Sequence, residues 1–159
     1  VLLADAINMV GDPFAIHGFC SDGRHDVEYY RFKDFDQHWD ETPKAKLAGM
    51  TGQLSTRMGA AIRHAGHHLQ LQRSAKKLLI VITGEPADVD VRDPQYLRYD
   101  TKKAVEEVAK LGVTTYCMSL DPRADNYVSR IFGQNNYMVV DHVQRLPEKL
   151  PLLYAGLTR

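Results

Sequence analysis

The chain has 159 residues, the length of one average domain, and its 44% hydrophobic and 25% charged residues are typical of a globular protein. Its 20 basic and 20 acidic residues cancel, so the charge gives no reason to expect a nucleic acid or a membrane as partner. The longest apolar run, residues 78–82, is far shorter than the roughly 20 residues that a membrane span needs.

Apolar residues at helical spacing predict six helices. The first pattern starts at the beginning of the chain and stops at Gly11-Asp12-Pro13. Asp100 is expected to be the N-cap of a later helix that ends before Gly112, because these residue types favour the two positions. The predicted helices cover residues 1–10, 44–48, 57–74, 100–111, 125–132 and 146–157.

Five segments between these helices have the composition of strands. Residues 78–82 form a continuous apolar run, as in a central strand that is buried on both faces, and we expect residues 14–20 and 113–120 on either side of it. The other two are residues 27–32, which should pair back as an edge hairpin, and residues 137–140. This order predicts an α/β fold with a doubly wound, mostly parallel sheet and an antiparallel edge hairpin.

The histidines and the familiar catalytic motifs give little support for an enzyme. The sequence contains no GxGxxG, GxxxxGK[ST], GxSxG or CxxC motif. His64, His67 and His68 share one predicted helix, and His64 and His68 have the spacing of two metal ligands, but no HExxH glutamate lies between them. We therefore favour an exposed polar face for these three, and a hydrogen-bonded core histidine for His17.

The two cysteines, Cys20 and Cys117, both lie in apolar, strand-like segments. Buried free thiols are a better interpretation of this placement than a disulfide. We therefore expect a reducing, cytoplasmic compartment.

Two loops are the best candidates for a binding site, because ligands of open α/β sheets bind beyond the carboxyl ends of the strands. Residues 54–59 and 83–90 form these loops, which we call the rim loops. A hydroxyl of the first loop and the carboxylates of Glu85 and Asp88 could share Mg²⁺, which prefers oxygen ligands. The alternative, which the residues alone favour, is that Ser55 or Thr56 caps the helix that follows.

The first rim loop resembles a known metal-site loop. Ser55-Thr56-Arg57-Met58-Gly59 is similar to the second metal loop of a von Willebrand factor A domain, with Thr56 as the metal ligand and Gly59 as a packing glycine. Residues 78–90 resemble the strand and third loop that follow in that family. The resemblance implies one such domain over residues 1–159, with a metal-ion-dependent adhesion site (MIDAS) for Mg²⁺.

The sequence departs from this family pattern in two places. The Asp-x-Ser-x-Ser motif of the family's first strand has no counterpart, since the chain begins in the helix that would follow it. Thr83 is followed directly by Gly84, where the family has an aspartate. We therefore expect a fragment of a longer protein that lacks the first strand, with an incomplete metal site near Thr56, Glu85 and Asp88.

The C-terminal part resembles a narrower group. Residues 121–154, including Ile131-Phe132-Gly133, are similar to the C-terminal A domain of the NorD/CbbO group. Members of that group act beside a MoxR-type AAA+ ATPase as its target-recognition subunit. Residues 86–96 resemble the CbbO branch, whose members are adaptors for Rubisco activation.

This resemblance implies a non-enzymatic adaptor in carbon fixation. It would dock an acidic residue of Rubisco through Mg²⁺ while a hexameric MoxR-type AAA+ ATPase pulls, in the cytoplasm or in association with carboxysomes. Two alternatives stay open. One is a NorD-like maturation factor of nitric oxide reductase, and the other is a small α/β hydrolase or phosphatase that uses Asp88 or Asp90 as its acid.

Overall fold

A computed structural model describes residues 2–21, 27–48, 58–83, 94–119, 123–124, 127–140 and 146–158. The helices in this part of the chain are α1 (Leu2–Val10), α2 (Glu41–Ala48), α3 (Met58–Gln70), α4 (Pro94–Lys110), α5 (Val128–Phe132) and α6 (Leu146–Leu157). The strands are β1 (Ile16–Ser21), β2 (Val27–Lys33), β3 (Lys77–Thr83), β4 (Val113–Ser119) and β5 (Tyr137–Val139). This order confirms the predicted α/β class.

The strands form two sheets that are compatible with a doubly wound fold. Strands β1 and β2 pair with each other in an antiparallel sheet. Strands β3, β4 and β5 form a parallel sheet in that order.

Strand β3 does not occupy the central position that its apolar run predicts. Within the described residues it pairs with β4 alone, and β4 lies at the centre of the parallel sheet. Within the described residues the predicted pairing of β3 with residues 14–20 is absent, since that segment forms a separate two-stranded sheet with β2, the predicted hairpin. Val81 is buried while Ile82 is 55% exposed, so β3 is covered more fully on one face than on the other. An apolar run therefore shows that a strand packs in a core, and not where it lies in the sheet.

Helix α4 begins earlier than predicted. The sequence predicts a start at Asp100 as the N-cap, but the helix already begins at Pro94. Proline suits the first helical position because its missing N–H would have no partner there. The predicted end is confirmed: Gly112 adopts a φ of 84°, a backbone conformation that glycine accommodates without strain.

The chain divides into two compact units. The first contains α1, α2, α6 and most of β1 and β2, and the second contains α3 to α5 and β3 to β5. None of the helices in the described ranges is both long and apolar enough to cross a bilayer.

The first unit is held together by polar contacts around α1. Trp39 is 9% exposed, and its indole N–H donates a 2.6 Å hydrogen bond to the Asp5 carboxylate on α1. The Phe14 ring meets the Trp39 ring edge-on at 5.9 Å. The Tyr154 hydroxyl on α6 donates to the Asp12 carboxylate, which follows α1 directly. The Tyr154 bond links α6 to the segment after α1, and α1 and α6 also pack against each other.

The core of the second unit lies between β4 and the helices. Six of the seven residues of β4 are buried. Helices α3 and α4 approach each other closely at two glycines of α3, Gly59 and Gly66. A Cβ built on Gly66 would lie 2.4 Å from Val108 Cγ1, so only glycine fits the observed spacing. The buried apolar residues of these helices are Met58, Ala61, Ile62, Leu97, Ala104 and Val108.

Candidate functional site

The carboxyl ends of the parallel strands meet at one edge of the sheet. Thr83, the last residue of β3, is paired in register with Ser119 of β4, and Ser119 is paired with Val139 of β5. The backbone N–H of Val140 continues this alignment by donating a 2.9 Å hydrogen bond to the Ser119 carbonyl. The second rim loop, which begins at Thr83, therefore starts level with the ends of β4 and β5.

Both long helices of the second unit begin at this same edge. Helix α4 connects the adjacent parallel strands β3 and β4, so it must start near the carboxyl end of β3 and run back. Gly59 packs near Asp100 and Gly66 packs on Val108, so α3 runs in the same direction as α4. The first residue of α3, Met58, therefore also lies towards the rim, and Thr56 precedes it by two positions in the sequence.

The predicted metal residues themselves lie outside the described part of the chain. This applies to Thr56, Glu85 and Asp88, and also to Asp90, the other candidate acid of the hydrolase alternative. Their roles stay predictions. A Cβ on Gly59 would lie 2.3 Å from Asp100 Oδ2, the end of a side chain that can turn aside, so the packing role of Gly59 also stays a prediction.

The described residues of this edge do not by themselves form a site for Mg²⁺. No group of three or more His, Cys, Asp or Glu side chains that could hold a metal is assembled within the described ranges. The carboxylate of α4 nearest to this edge, that of Asp100, forms an ion pair with Arg63 at 3.0 Å. A magnesium site here would therefore depend on oxygen atoms of the rim loops.

An arginine on α3 fastens this helix to α4. The Arg63 guanidinium contacts the Asp100 carboxylate at 3.0 Å and the Glu107 carboxylate at 2.7 Å. The hydrogen bond from Arg63 lowers the pKa of Glu107 below its ordinary value. The sequence analysis did not single out Arg63, because its partners lie 37 and 44 residues away along the chain.

The histidine cluster lies on the outer face of α3, as predicted. His64 and His67 are exposed and His68 is half-buried. The Nε2 atoms of His64 and His68 are 3.3 Å apart, and their rings meet at an interplanar angle of 75°. This exposure confirms that the histidines lie on a polar face, and it does not test the alternative of a metal site.

His17 is hydrogen-bonded on both sides, which confirms its prediction. Its Nδ1 lies 2.6 Å from the Tyr29 hydroxyl, and its Nε2 lies 3.2 Å from Asp34 Oδ1. Burial raises the pKa of Tyr29 to about 12, so this phenol stays protonated at neutral pH and can donate to Nδ1. The other nitrogen of His17 then carries the proton that it donates to Asp34.

Both cysteines are free thiols, as predicted. Cys117 on β4 is 1% exposed, whereas Cys20 on β1 is half-buried. Burial raises the pKa of the Cys117 thiol to about 12, which makes it a poor nucleophile. Cys117 is therefore a packing residue of the core.

A shallow surface cavity in the first unit contains a buried lysine. Lys33, Phe14, Asp12 and Trp39 are among its lining residues. The Lys33 side-chain nitrogen donates to the Phe14 carbonyl at 2.6 Å and to the Asp34 carbonyl at 3.0 Å, and lies 4.2 Å from the centre of the Phe14 ring. Burial lowers the pKa of this amine. The lysine therefore fixes the end of β2 to the segment before β1.

The chain is similar over nearly its whole length to several known proteins. It is 36% identical to protein NorD of Brucella melitensis over 99% of the chain, and 34% identical to protein NorD of Stutzerimonas stutzeri over 91%. An uncharacterized protein of Pseudomonas aeruginosa is 34% identical over 100% of the chain. The chain spans about a quarter of the length of these relatives, 24% to 26%. No family model matches it.

These relatives overturn the predicted Rubisco pathway. The named relatives are NorD proteins, so the predicted context of carbon fixation and Rubisco activation is wrong. The predicted partners, a MoxR-type AAA+ ATPase and Rubisco, are wrong for the same reason. The preference for the CbbO branch rested on residues 86–96 alone. Surface loops tolerate sequence change more readily than packed elements do, so a short loop is a weak guide to the branch of a group.

Proposed function

We propose that this chain is a recognition domain of a NorD-like protein that serves the maturation of nitric oxide reductase. The observation that carries this proposal is the 34% to 36% identity to NorD proteins over 91% to 99% of the chain. The proposal includes a von Willebrand factor A-type fold for the domain. The parallel sheet and its flanking helices are compatible with that fold.

The described geometry suits a rigid platform for recognition loops. The ends of β3, β4 and β5 are in register, and α3 and α4 begin at the same edge. Two close glycine contacts and the Arg63 ion pairs fix α3 on α4. Loops that start from such a fixed edge can present side chains to a partner in a defined geometry.

We propose that the domain acts by binding and not by catalysis. The sequence carries none of the common hydrolase or nucleotide-binding motifs. The binding surface in this proposal is the pair of rim loops, residues 54–59 and 83–90. A Mg²⁺ ion near Thr56, Glu85 and Asp88 stays part of the proposal on the strength of the sequence resemblance.

Deletion of the gene in the organism that encodes the protein tests the proposed function. Membranes of the deletion strain are expected to contain the reductase polypeptides, detected by immunoblot, but to consume little nitric oxide. The intact gene should restore nitric oxide consumption, and a copy that carries Thr56→Ala should not. Undiminished nitric oxide consumption in the deletion strain would refute the proposal.

A further inference from the structure

We propose that His64 and His68 form a two-imidazole binding site for a divalent transition metal ion such as zinc on the outer face of α3. The two side chains lie one helical turn apart, which places them on the same face. They approach through their Nε2 atoms at 3.3 Å. This site is separate from the rim loops and does not depend on the proposed function.

The separation of the two nitrogens matches tetrahedral coordination. Zinc binds imidazole nitrogen at roughly 2.0–2.1 Å, so two ligands at a tetrahedral angle lie about 3.3–3.4 Å apart. The observed Nε2–Nε2 distance is 3.3 Å. Two ligands at a right angle, as in square-planar or octahedral geometry, would be only about 2.8–3.0 Å apart at the same bond length.

The orientation of the rings is compatible with a shared ligand. The centre of an imidazole lies about 1.15 Å behind its Nε2, so two rings aimed at one tetrahedral zinc ion would have centres about 5.2 Å apart. Rings aimed straight at each other across the same gap would have centres about 5.6 Å apart. The observed distance between centres is 4.9 Å and the rings meet edge-on, so at least one ring is turned away from the line that joins the nitrogens.

The exposure of the pair decides what completes the coordination. His64 is exposed and His68 half-buried, so an ion held between them faces solvent. Zinc takes four ligands, which leaves two positions for water or for a side chain of a partner. Both imidazoles must be neutral at the coordinating nitrogen, so protons compete with the metal and binding should weaken in acid.

His67 is a matched control on the same helix. It is exposed like His64 and adjacent to His68, but no metal-binding group of three is assembled in the described part of the chain. Alanine is a strong helix former, and none of the three histidines is fully buried. The fold of α3 should therefore survive each change, and circular dichroism checks this.

The test is a titration of the intact protein with Zn²⁺ at pH 7.5, compared with His64→Ala, His68→Ala and His67→Ala. We expect one site whose affinity falls about tenfold or more in each of the first two variants and is unchanged in the third. Mass spectrometry after histidine modification by diethyl pyrocarbonate should show Zn²⁺ protection of His64 and His68, and not of His67. Equal affinity in all four proteins, or an equal loss in His67→Ala, would overturn the proposal.

Discussion

Gly66 on α3 faces Val108 on α4 without room for a methyl group between them. A Cβ on Gly66 would lie 2.4 Å from Val108 Cγ1 and 3.1 Å from Val108 Cβ. Val108 is 1% exposed and β-branched, so it has little freedom to turn away within a helix. The spacing of α3 and α4 therefore depends on a glycine at this position.

Gly66→Ala is expected to destabilise the protein although alanine is the better helix former. Overpacking costs about 1–3 kcal/mol, and the gain in helix propensity offsets about 1 kcal/mol of it. Gly156→Ala is the matched control, because nothing lies within 4 Å of a Cβ on this glycine of α6. Urea denaturation should show a lower midpoint for Gly66→Ala and an equal or higher one for Gly156→Ala. A higher urea midpoint for both variants would contradict the close packing of Gly66 on Val108.

Arg63→Met should loosen α3 from α4 in a manner that depends on pH. The hydrogen bond from Arg63 lowers the pKa of Glu107, so the stabilisation is present above the ordinary carboxylate pKa and is lost as the pH falls through the lowered value. The difference in urea midpoint between the parent and Arg63→Met should therefore shrink in acid. Lys103→Ala removes an exposed ion pair with Glu106 at 3.6 Å and should have almost no effect. A difference in urea midpoint that grew in acid would refute this role of the Arg63–Glu107 pair.

The two faces of β3 should respond differently to a charge. Val81 is 6% exposed and Ile82 is 55% exposed. Val81→Asp buries a carboxylate and is expected to cost more than ~3 kcal/mol, whereas Ile82→Asp should cost less than ~1 kcal/mol. Thermal unfolding of the two variants measures the two losses of stability. Similar losses of stability in both variants would show that Ile82 is covered.

The Cys117 thiol should react only after unfolding. Its pKa is raised to about 12 by burial, so it stays protonated and shielded at pH 8. Because the folded pKa is raised, this group favours the native state below the ordinary thiol pKa, and that contribution is lost as the pH rises towards 12. Iodoacetamide labelling followed by mass spectrometry should modify Cys117 in urea and not in buffer, and rapid labelling of the native protein would disprove its burial.

Thr56→Ala tests the rim loops against ordinary capping. If Thr56 only caps α3, the change should cost about 1 kcal/mol of stability and leave function intact. If Thr56 serves the proposed binding surface, nitric oxide reductase maturation should fall sharply while the fold survives, and a chelator should mimic the change. His64→Ala and His68→Ala serve as controls and should leave maturation unchanged. The reverse pattern would move the functional surface to the histidines.

The sequence determined the elements whose signals are local. Helix α6 has the predicted bounds, residues 146–157, because apolar residues at helical spacing mark it directly. The end of α4 follows from one glycine, Gly112. The early start of α4 was missed, although a proline at a first helical position was visible as Pro94.

The tertiary structure decided which elements meet. The position of β3 beside β4, and not at the centre, depends on strand pairing that no single segment encodes. Arg63 reaches Glu107 across 44 residues of chain, and the convergence of His64 and His68 depends on side-chain rotamers. Periodicity and turn residues act over a few positions, so the sequence alone specifies helices and strands. Contacts between distant residues exist only once the whole chain has packed.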